Sequence, residues 1–387
     1  MKQPQIRTRR QIALVIETSN AYGRGLLAGI SRRMRELGTW SATLIEAGRG
    51  DGGAGHLAAW SGDGILARIE NAGVAAAVQA TGLPAVDLSA ARLLPGLPWV
   101  ETDDRAIAAQ AVAHLRERGF CHLGFVGDDR FAWSRNRARH AADLLRAEGL
   151  ACATCVMQPG QAVPAQREAI AAWLRSCSFP LGVFCAYDPL GHLVLDVARG
   201  LRLHVPEELA VVGVDDDAVL CGLADPPLSS VQPDAEGAGH AAAGLLERLL
   251  AGETVPPQAM LFRPLGLAAR ASTDGIAVDD PQLRAALALA QARACDGLGI
   301  PGLVRASGLS RQVLDRRCRR LLGRTIKEEL DRVRLRRVRE LLLGTDLPVA
   351  EIARLAGYGH PEYLGVVWRR TMGVSPAVWR KANVAGH

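Results

Sequence analysis

Short apolar runs alternate with longer amphipathic stretches from residue 11 to about residue 270. The short runs predict buried strands, and the longer stretches repeat their apolar side chains at helical spacing. The predicted strands are 11–17, 41–47, 64–69, 84–88, 121–127, 151–157, 181–187 and 209–215. The predicted helices are 23–37, 71–80, 104–118, 134–148, 164–176, 189–200 and 234–251. Such alternation is typical of α/β domains whose parallel sheets carry helices on both faces.

Two segments divide these strands into two sets. Residues 98–103 precede one long predicted helix, and residues 226–233 precede another. We interpret both segments as crossovers between two lobes, each with its own parallel sheet. The expected fold is therefore a two-lobed α/β domain with a cleft.

The pattern changes to helices alone over residues 301–380. A first helix is followed by a turn at Gly308 and by a second helix, for which Ser310 is a favourable N-cap. The design is then repeated, because a short helix stops at Gly357 and Pro361 suits the first position of the next helix. This pattern predicts two helix-turn-helix units in tandem.

A long predicted helix, residues 325–343, joins the two units. Its apolar set is Ile326, Leu330, Val333, Leu335, Val338, Leu341 and Leu342. A rigid helix of this kind would hold two recognition helices about one turn of DNA apart, roughly 34 Å.

The outer faces of the second helix in each unit provide the candidate DNA contacts. In the first unit Leu314 and Cys318 form an inner face, and long hydrogen-bond donors remain outside, which suits a helix in a major groove. The candidates are Arg311, Gln312, Asp315, Arg316 and Arg319 in the first unit, and His360, Glu362 and Val366 in the second. Arg317 and Arg320 lie off this arc and are candidates for phosphate contact. The alternative is that the arginines only form a solvated face.

Charge separates the two parts of the chain. From Pro281 onward there are 20 Lys+Arg and 9 Asp+Glu, a net charge of +11, whereas residues 1–280 carry 26 and 31, a net charge of −5. A basic tail on an acidic body indicates that the tail binds the polyanion. We find no apolar run of membrane-spanning length and no signal-peptide pattern, so we expect a cytoplasmic protein without a membrane partner.

Cofactor, metal and catalytic patterns are weak. Cys152 and Cys155 form a C-x-x-C without a second pair or nearby His, so we expect reduced thiols and no metal. The glycines at 23, 25 and 29 imitate a dinucleotide-binding fingerprint but miss its spacing. The Asp215–Asp217 run is more simply a solvated loop than a metal site. Without a nucleophile–base pair we expect neither an enzyme nor a cofactor.

Polar and aromatic residues follow several predicted strands at their carboxyl ends, where ligands bind in open parallel sheets. The candidate effector-binding residues are Asn20, Tyr22, Glu46, Trp133, Arg137, Asp188 and Asp215. Amide, carboxylate and guanidinium groups beside an aromatic plane suit a neutral polyol, whose hydroxyls both donate and accept. Arg68 also follows a strand, but it is as consistent with a solvent-facing position.

Each candidate also has a purely structural interpretation. Asn20 and Tyr22 are consistent with turn formation alone, and Asp215 with capping of the following turn. Arg137 suits a helix surface, Glu46 a solvated strand end, and the aromatic residue at 133 a core position.

Two families resemble these segments. VETDDRAIAAQAVAHLRERGF, GFVGDD, AVVGVDDD and LSSVQPD are similar to LacI-type sensor domains, built like periplasmic sugar-binding proteins, over nearly all of residues 11–272. The blocks EIA, GY and GVSP, with their spacing, resemble the AraC-type DNA-binding domain over about eighty residues. Val366 stands where many members of that family carry a polar side chain. The combination resembles the family of xylose operon regulators.

The resemblance implies a sugar-sensing domain over residues 1–274, a linker at 275–280 and an AraC-type DNA-binding domain over residues 281–387. It places sugar contacts near Arg137 and Asp188, and near the aspartate at 215. The implied partners are operator DNA, a small sugar that is xylose or another monosaccharide, RNA polymerase if the protein is an activator, and a second copy in a homodimer. A sugar-binding transport component is the alternative from another class.

Overall fold

The computed structural model describes residues 9–45, 54–57, 59–275, 280–322 and 324–384. The chain divides into two compact units, Met1–Gly275 and Ile276–His387. Within the described residues, no helix has both the length and the apolar character needed to cross a membrane. The eight cysteines are all free thiols.

The described strands of the first unit form two six-stranded sheets. The strands are β1 (Arg10–Val15), β2 (Trp40–Leu44), β3 (Gly64–Ala67), β4 (Ala85–Asp87), β5 (Trp99–Thr102), β6 (His122–Asp128), β7 (Cys152–Met157), β8 (Leu181–Cys185), β9 (Leu209–Val214), β10 (Ser229–Gln232), β11 (Ala259–Phe262) and β12 (Gly266–Ala268). The first sheet has the order β11-β5-β4-β3-β1-β2 and the second β12-β10-β9-β8-β6-β7. Pairing is parallel except between β10 and β12. The predicted two-lobed α/β fold is confirmed.

Nine described α-helices cover the two sheets of this unit. They are α1 (Ala21–Leu37), α2 (Ala54–Leu57), α3 (Ala72–Thr81), α4 (Asp104–Glu117), α5 (Ala132–Ala147), α6 (Val163–Ser176), α7 (Asp188–Gly200), α8 (Ala218–Leu223) and α9 (Ala235–Leu250). Both faces of β1 are covered: Ile12 and Leu14 belong to the apolar cluster that includes α1 and α9 residues, and Ala13 and Val15 to the cluster that includes α3 residues.

The chain passes between the lobes three times. It leaves the first lobe after β5, returns after β10, and crosses again between β11 and β12. The first two passages were expected, although each segment also contains a sheet strand. The third was not predicted, because β11 is a largely exposed edge strand without an alternating pattern.

The glycines of α1 serve helix packing. A Cβ added at Gly29 would lie 2.0 Å from the Glu236 carbonyl oxygen, and one at Gly239 would lie 2.1 Å from the Leu26 carbonyl oxygen. The backbones of α1 and α9 therefore approach closely at this pair of glycines. This contact explains the glycine at position 29 without a nucleotide.

The described part of the second unit is helical. Its α-helices are α10 (Pro281–Arg293), α11 (Ile300–Ser307), α12 (Arg311–Leu322), α13 (Ile326–Gly344), α14 (Val349–Leu355), α15 (Pro361–Met372) and α16 (Pro376–Val384). Gly308, at φ 66°, ends α11, and the Ser310 hydroxyl accepts from the Val313 amide at 3.4 Å. Gly357 lies in the turn after α14, and Pro361 opens α15. The two predicted helix-turn-helix units are confirmed in α11–α12 and α14–α15.

The connecting helix α13 supports two apolar cores. Thr325 and Glu328 form a reciprocal capping box at its start, which fixes where the helix begins. Ile326, Leu330 and Val333 pack in one cluster with residues of α10–α12. The buried partners from those helices include Leu283, Leu287, Leu303, Leu314 and Cys318. The C-terminal half of α13, from Leu335 on, belongs to a separate cluster with α14 and α15.

Candidate functional site

A cleft of about 400 Å³, counting the solvent space at its mouth, lies between the two lobes of the first unit. Its walls come from the carboxyl ends of β1, β3, β4, β5 and β9 and from the helix that follows β6. The lining residues are Asn20, Tyr22, Arg68, Leu88, Ser89, Ala90, Glu101, Thr102, Trp133, Arg137 and Asp215. This is the position in which open parallel sheets bind ligands.

Asn20 and Tyr22 enter the cleft because α1 begins there. The Asn20 side chain caps α1, accepting from the Gly23 amide at 2.7 Å, and donates to Glu17 Oε1 at 2.9 Å. Burial raises the pKa of Tyr22 well above its ordinary value, so its hydroxyl stays protonated at neutral pH. Asn20 therefore caps α1 and also lines the cleft.

Arg68 is the central cation of the first-lobe wall. It follows β3, is only 8% exposed, and pairs with both Glu17 and Glu70. Its guanidinium carbon lies 5.3 Å from the centre of the Tyr22 ring. Burial alone would lower the pKa of Arg68, but the carboxylates of Glu70 and Glu17 outweigh burial and raise it. Arg68 therefore remains charged inside the cleft.

Arg137 is the corresponding cation of the second lobe. Its Nε donates to Asp104 Oδ1 at 2.9 Å and its Nη1 to the Ala186 carbonyl at 2.7 Å. Arg137 is 4% exposed, which rules out the helix-surface interpretation. Burial raises the pKa of Asp104, and the adjacent guanidinium opposes that shift. The pair is thus a buried ion pair, with part of the arginine in the cleft wall.

Trp133 combines core packing with a place in the wall. Its ring stacks on Phe131 at 4.9 Å between centroids, and the Arg137 guanidinium carbon lies 5.0 Å from its centroid. The indole Nε1 donates to Glu70 Oε1 at 3.2 Å, across the cleft from the second lobe to the first. A second link joins the lobes where Arg24 of α1 pairs with Asp217 at 2.7 Å.

The loop after β9 carries Asp215 into the cleft. Asp215 has φ 108° and Asp216 has φ 48°, backbone conformations that side-chain-bearing residues adopt at a cost. Arg270 pairs with Asp216 at 2.6 Å and supports this loop. The next aspartate caps α8 through the Val219 and Leu220 amides. Functional sites are where such strained conformations concentrate.

Asp188, predicted to contact the effector, does not line the cleft. It is fully buried at the start of α7, where it accepts from the Ser230 hydroxyl at 2.6 Å and from the Asp217 amide at 2.8 Å. Burial, reinforced by the nearby Asp215 carboxylate, raises the pKa of Asp188 to about 8. Asp188 is absent from the cleft wall because its carboxylate is taken up by the Asp217 amide and the Ser230 hydroxyl beneath the 215–217 loop.

Asn20, Tyr22, Trp133, Arg137 and Asp215 line one cleft, as the sequence analysis proposed. Glu46 lies outside the described residues. The cleft wall also contains four polar residues that are not among the predicted effector contacts: Arg68, Ser89, Glu101 and Thr102. Glu101 and Thr102 lie at the carboxyl end of β5, a strand that the sequence analysis does not predict because it interprets residues 98–103 only as a crossover.

Two polar atoms at the cleft lack partners within the described chain. Glu101 Oε2 and Arg68 Nε are buried and accept or donate no hydrogen bond there. Buried polar groups are normally satisfied, so a ligand that reached these atoms would donate to Glu101 Oε2 and accept from Arg68 Nε. No group of three metal-ligating side chains occurs among the described residues.

The two recognition helices, α12 and α15, differ in what they expose. Arg311, Gln312, Arg316 and Arg319 are exposed on α12, and His360, Glu362 and Val366 are exposed on α15 or at its start. Val366 is 65% exposed, an unusual position for an apolar side chain. All of these predicted DNA contacts are therefore accessible.

Two charged residues of α12 have other partners. Asp315, a predicted base contact, accepts from the Ile326 amide at 3.2 Å and so fastens α12 to α13. Arg317, a phosphate candidate, donates to Asp280 at 2.7 Å and to Gln282 at 3.1 Å, which fixes the start of α10. Helical spacing shows that a residue lies on the outward face of α12, but it does not show whether that residue bonds to another helix or faces solvent.

Comparison with known proteins supports both halves of this description. A model of a periplasmic binding protein-like domain matches residues 112–273, and a helix-turn-helix domain model matches residues 303–382. The chain is similar to the xylose operon regulatory protein of Escherichia coli (strain K12), at 28% identity over 97% of this chain and 98% of that protein. Its counterpart in Haemophilus influenzae is 26% identical over 96% and 98%.

A solved structure described as a xylose-binding transcription activator has the same architecture. Its TM-score is 0.75 at 27% identity, and the match covers 97% of this chain and 98% of that one. The order of the two domains is therefore shared along the full length.

Proposed function

Since the chain is a homologue of the xylose operon regulatory proteins, we propose that xylose, bound in its interlobe cleft, controls its action on operator DNA. The observation that carries the proposal is the joining of a polar interlobe cleft to two helix-turn-helix units in one chain. The chain is a transcription regulator with a sugar-binding type of sensor domain. The identity of the sugar is the proposed part.

The charges of the cleft favour a neutral sugar. Arg68 already faces Glu17 and Glu70, and Arg137 already faces Asp104. These compensated cations leave no excess positive charge for a phosphate. Glu101 and Asp215 add two further carboxylates to the wall. Carboxylates accept from sugar hydroxyls and guanidinium groups donate to them, so an uncharged polyol satisfies both.

The lobes provide the route from sugar to DNA. A ligand that contacts Arg68 in one lobe and Arg137 or Asp215 in the other binds the closed cleft more tightly than an open one. It shifts the equilibrium only by that difference in affinity. We propose that a homodimer transmits the closure to its DNA-binding units and that RNA polymerase is the partner if regulation is positive. Acting on DNA, the protein would work in the cytoplasm.

The alternatives are a different monosaccharide as effector and, less favoured, a sugar-binding transport component. The helix-turn-helix match over residues 303–382 has no role in transport. We assign the cleft no catalytic step.

A gel-shift titration with a panel of neutral sugars tests the proposal. The probe is a DNA sequence that the full-length protein selects from a random pool. We expect xylose to change the apparent affinity several-fold, with arabinose, ribose and glucose giving smaller changes. If the protein selected no DNA sequence from the pool, its role as a transcription regulator would be contradicted. A response to another sugar alone would replace xylose as the effector.

Asp215→Asn is expected to weaken xylose binding while leaving the fold intact. Asparagine tolerates positive φ, and losing a charged acceptor for a hydroxyl costs about 1.5–3 kcal/mol, on the order of ten- to a hundredfold in affinity. Calorimetry measures the affinity and thermal unfolding the stability. Asp143→Asn, which alters an exposed ion pair on α5, is the matched control. Equal sugar affinity in both variants would remove Asp215 from the site.

Sequence preference is expected to be sharper in the half-site contacted by α12. Arg316 offers a fork that fits guanine O6 and N7, so Arg316→Ala should cost about 1–3 kcal/mol and relax specificity at one base pair. Val366 offers only a methyl contact, and Val366→Ala should cost clearly less. A randomised-operator selection measures the information in each half-site. Equal information in the two, or more in the half-site of α15, would contradict this assignment.

A further inference from the structure

We propose that Arg334 is a positioning residue that sets the spacing and rotation between the two recognition helices, and thereby the half-site spacing that the protein accepts. The inference rests on the proposed DNA-binding function and concerns a residue outside both recognition helices. Arg334 lies on α13 between Val333, in the core of the first helix-turn-helix unit, and Leu335, in the core of the second.

The need for such a residue follows from the division of the core. The buried apolar side chains of this unit form two separate clusters, which share only the helix α13. Apolar packing fixes each helix-turn-helix unit by itself. The orientation of one unit relative to the other therefore depends on α13 and on polar contacts where the clusters meet.

Arg334 makes such polar contacts with the turn that precedes α11 of the first helix-turn-helix unit. Its Nε donates to the Ala294 carbonyl at 3.0 Å and its Nη2 to the Leu298 carbonyl at 2.9 Å. Both acceptors belong to the turn between α10 and α11. Two donors of one planar group thus bind two carbonyls of one turn, an arrangement that a lysine cannot reproduce.

The same guanidinium also contacts the second helix-turn-helix unit. Its carbon lies 5.5 Å from the centre of the Tyr358 ring, and Tyr358 is 4% exposed in the turn between α14 and α15. The preceding Gly357 has φ 76°, and a Cβ added there would lie 2.5 Å from the Ala294 carbonyl oxygen. The two turns therefore approach to backbone contact, with Arg334 bonded to one and stacked on the other.

The contacts of Arg334 bear on DNA binding because a change in half-site spacing also rotates one half-site relative to the other. Inserting one base pair between half-sites moves the second by about 3.4 Å and turns it by about 34–36°. The Arg334 contacts resist that movement. Without them the two helix-turn-helix units keep only α13, the backbone contact of the two turns and surface side-chain contacts, which leaves more freedom to bend. Loss of Arg334 should therefore relax the spacing requirement more than it lowers affinity for the native spacing.

The experiment compares full-length variants on three DNA probes. The first probe is the sequence that the wild-type protein selects from a random pool, and the other two carry one base pair inserted or deleted between its half-sites. We expect the wild type to lose about tenfold or more in affinity on the altered probes. Arg334→Ala should lose about threefold or less, and Arg334→Lys should fall between them.

Two matched variants separate positioning from charge and stability. We define the spacing ratio as the affinity for the selected probe divided by the affinity for a probe of altered spacing. Tyr358→Phe keeps the ring and removes a buried hydroxyl that has no hydrogen-bond partner among the described residues, so its spacing ratio should equal that of the wild type. Arg337→Ala removes an exposed positive charge of α13, paired with Glu340, and should weaken all three probes alike. If Arg334→Ala does not fold, Arg334→Lys gives the deciding ratio.

A spacing ratio in the Arg334 variants equal to that of the wild type would overturn the inference, even if all affinities fell. Failure of the wild type to select any DNA would instead overturn the proposed function. The two outcomes are distinct, because the first is a ratio between probes and the second is an absence of binding.

Discussion

The cleft depends on the ion pairs that the buried guanidinium of Arg68 forms with Glu17 and Glu70. An isolated buried cation is costly, and breaking a buried pair by removing one partner typically costs about 3–5 kcal/mol. Glu17 and Glu70 compensate it, and each carboxylate has a second donor: Asn20 for Glu17 and Trp133 for Glu70. One cation thus ties the cap of α1, the end of β3 and a residue of the opposite lobe into one network. A ligand that entered the cleft would meet a network that already joins the two lobes.

Much of this arrangement could be predicted from the sequence. The alternation of apolar runs gave the two parallel sheets, and strand ends gave five residues of the cleft. The sequence alone does not decide the place of Arg68, because an arginine between Ala67 and Ile69 is consistent with a solvent-facing position until its carboxylate partners are known. Glu70 is two residues away, but Glu17 is distant in sequence, and the packing of β1 against β3 brings it near. The sequence does not show the place of Asp188 for the same reason, since its partners Ser230 and Asp217 come from other elements.

The DNA-binding unit shows the same limit at another scale. Helical spacing predicted each helix-turn-helix unit, its turns and its caps, because those depend on neighbours in sequence. Helical spacing did not reveal that Asp315 and Arg317 bond to other helices, or that the apolar core divides within α13. Contacts between the two helix-turn-helix units depend on which turns meet in space, and the glycine at 357 is a local sign of such a meeting.

We propose that the cleft and the DNA-binding units are coupled, and coupling between two ligands is reciprocal. The most direct test measures xylose affinity by calorimetry for the free full-length protein and for its complex with the selected DNA. We expect DNA to change xylose affinity by the same factor by which xylose changes DNA affinity. Equal xylose affinities with and without DNA, alongside normal DNA binding, would contradict it.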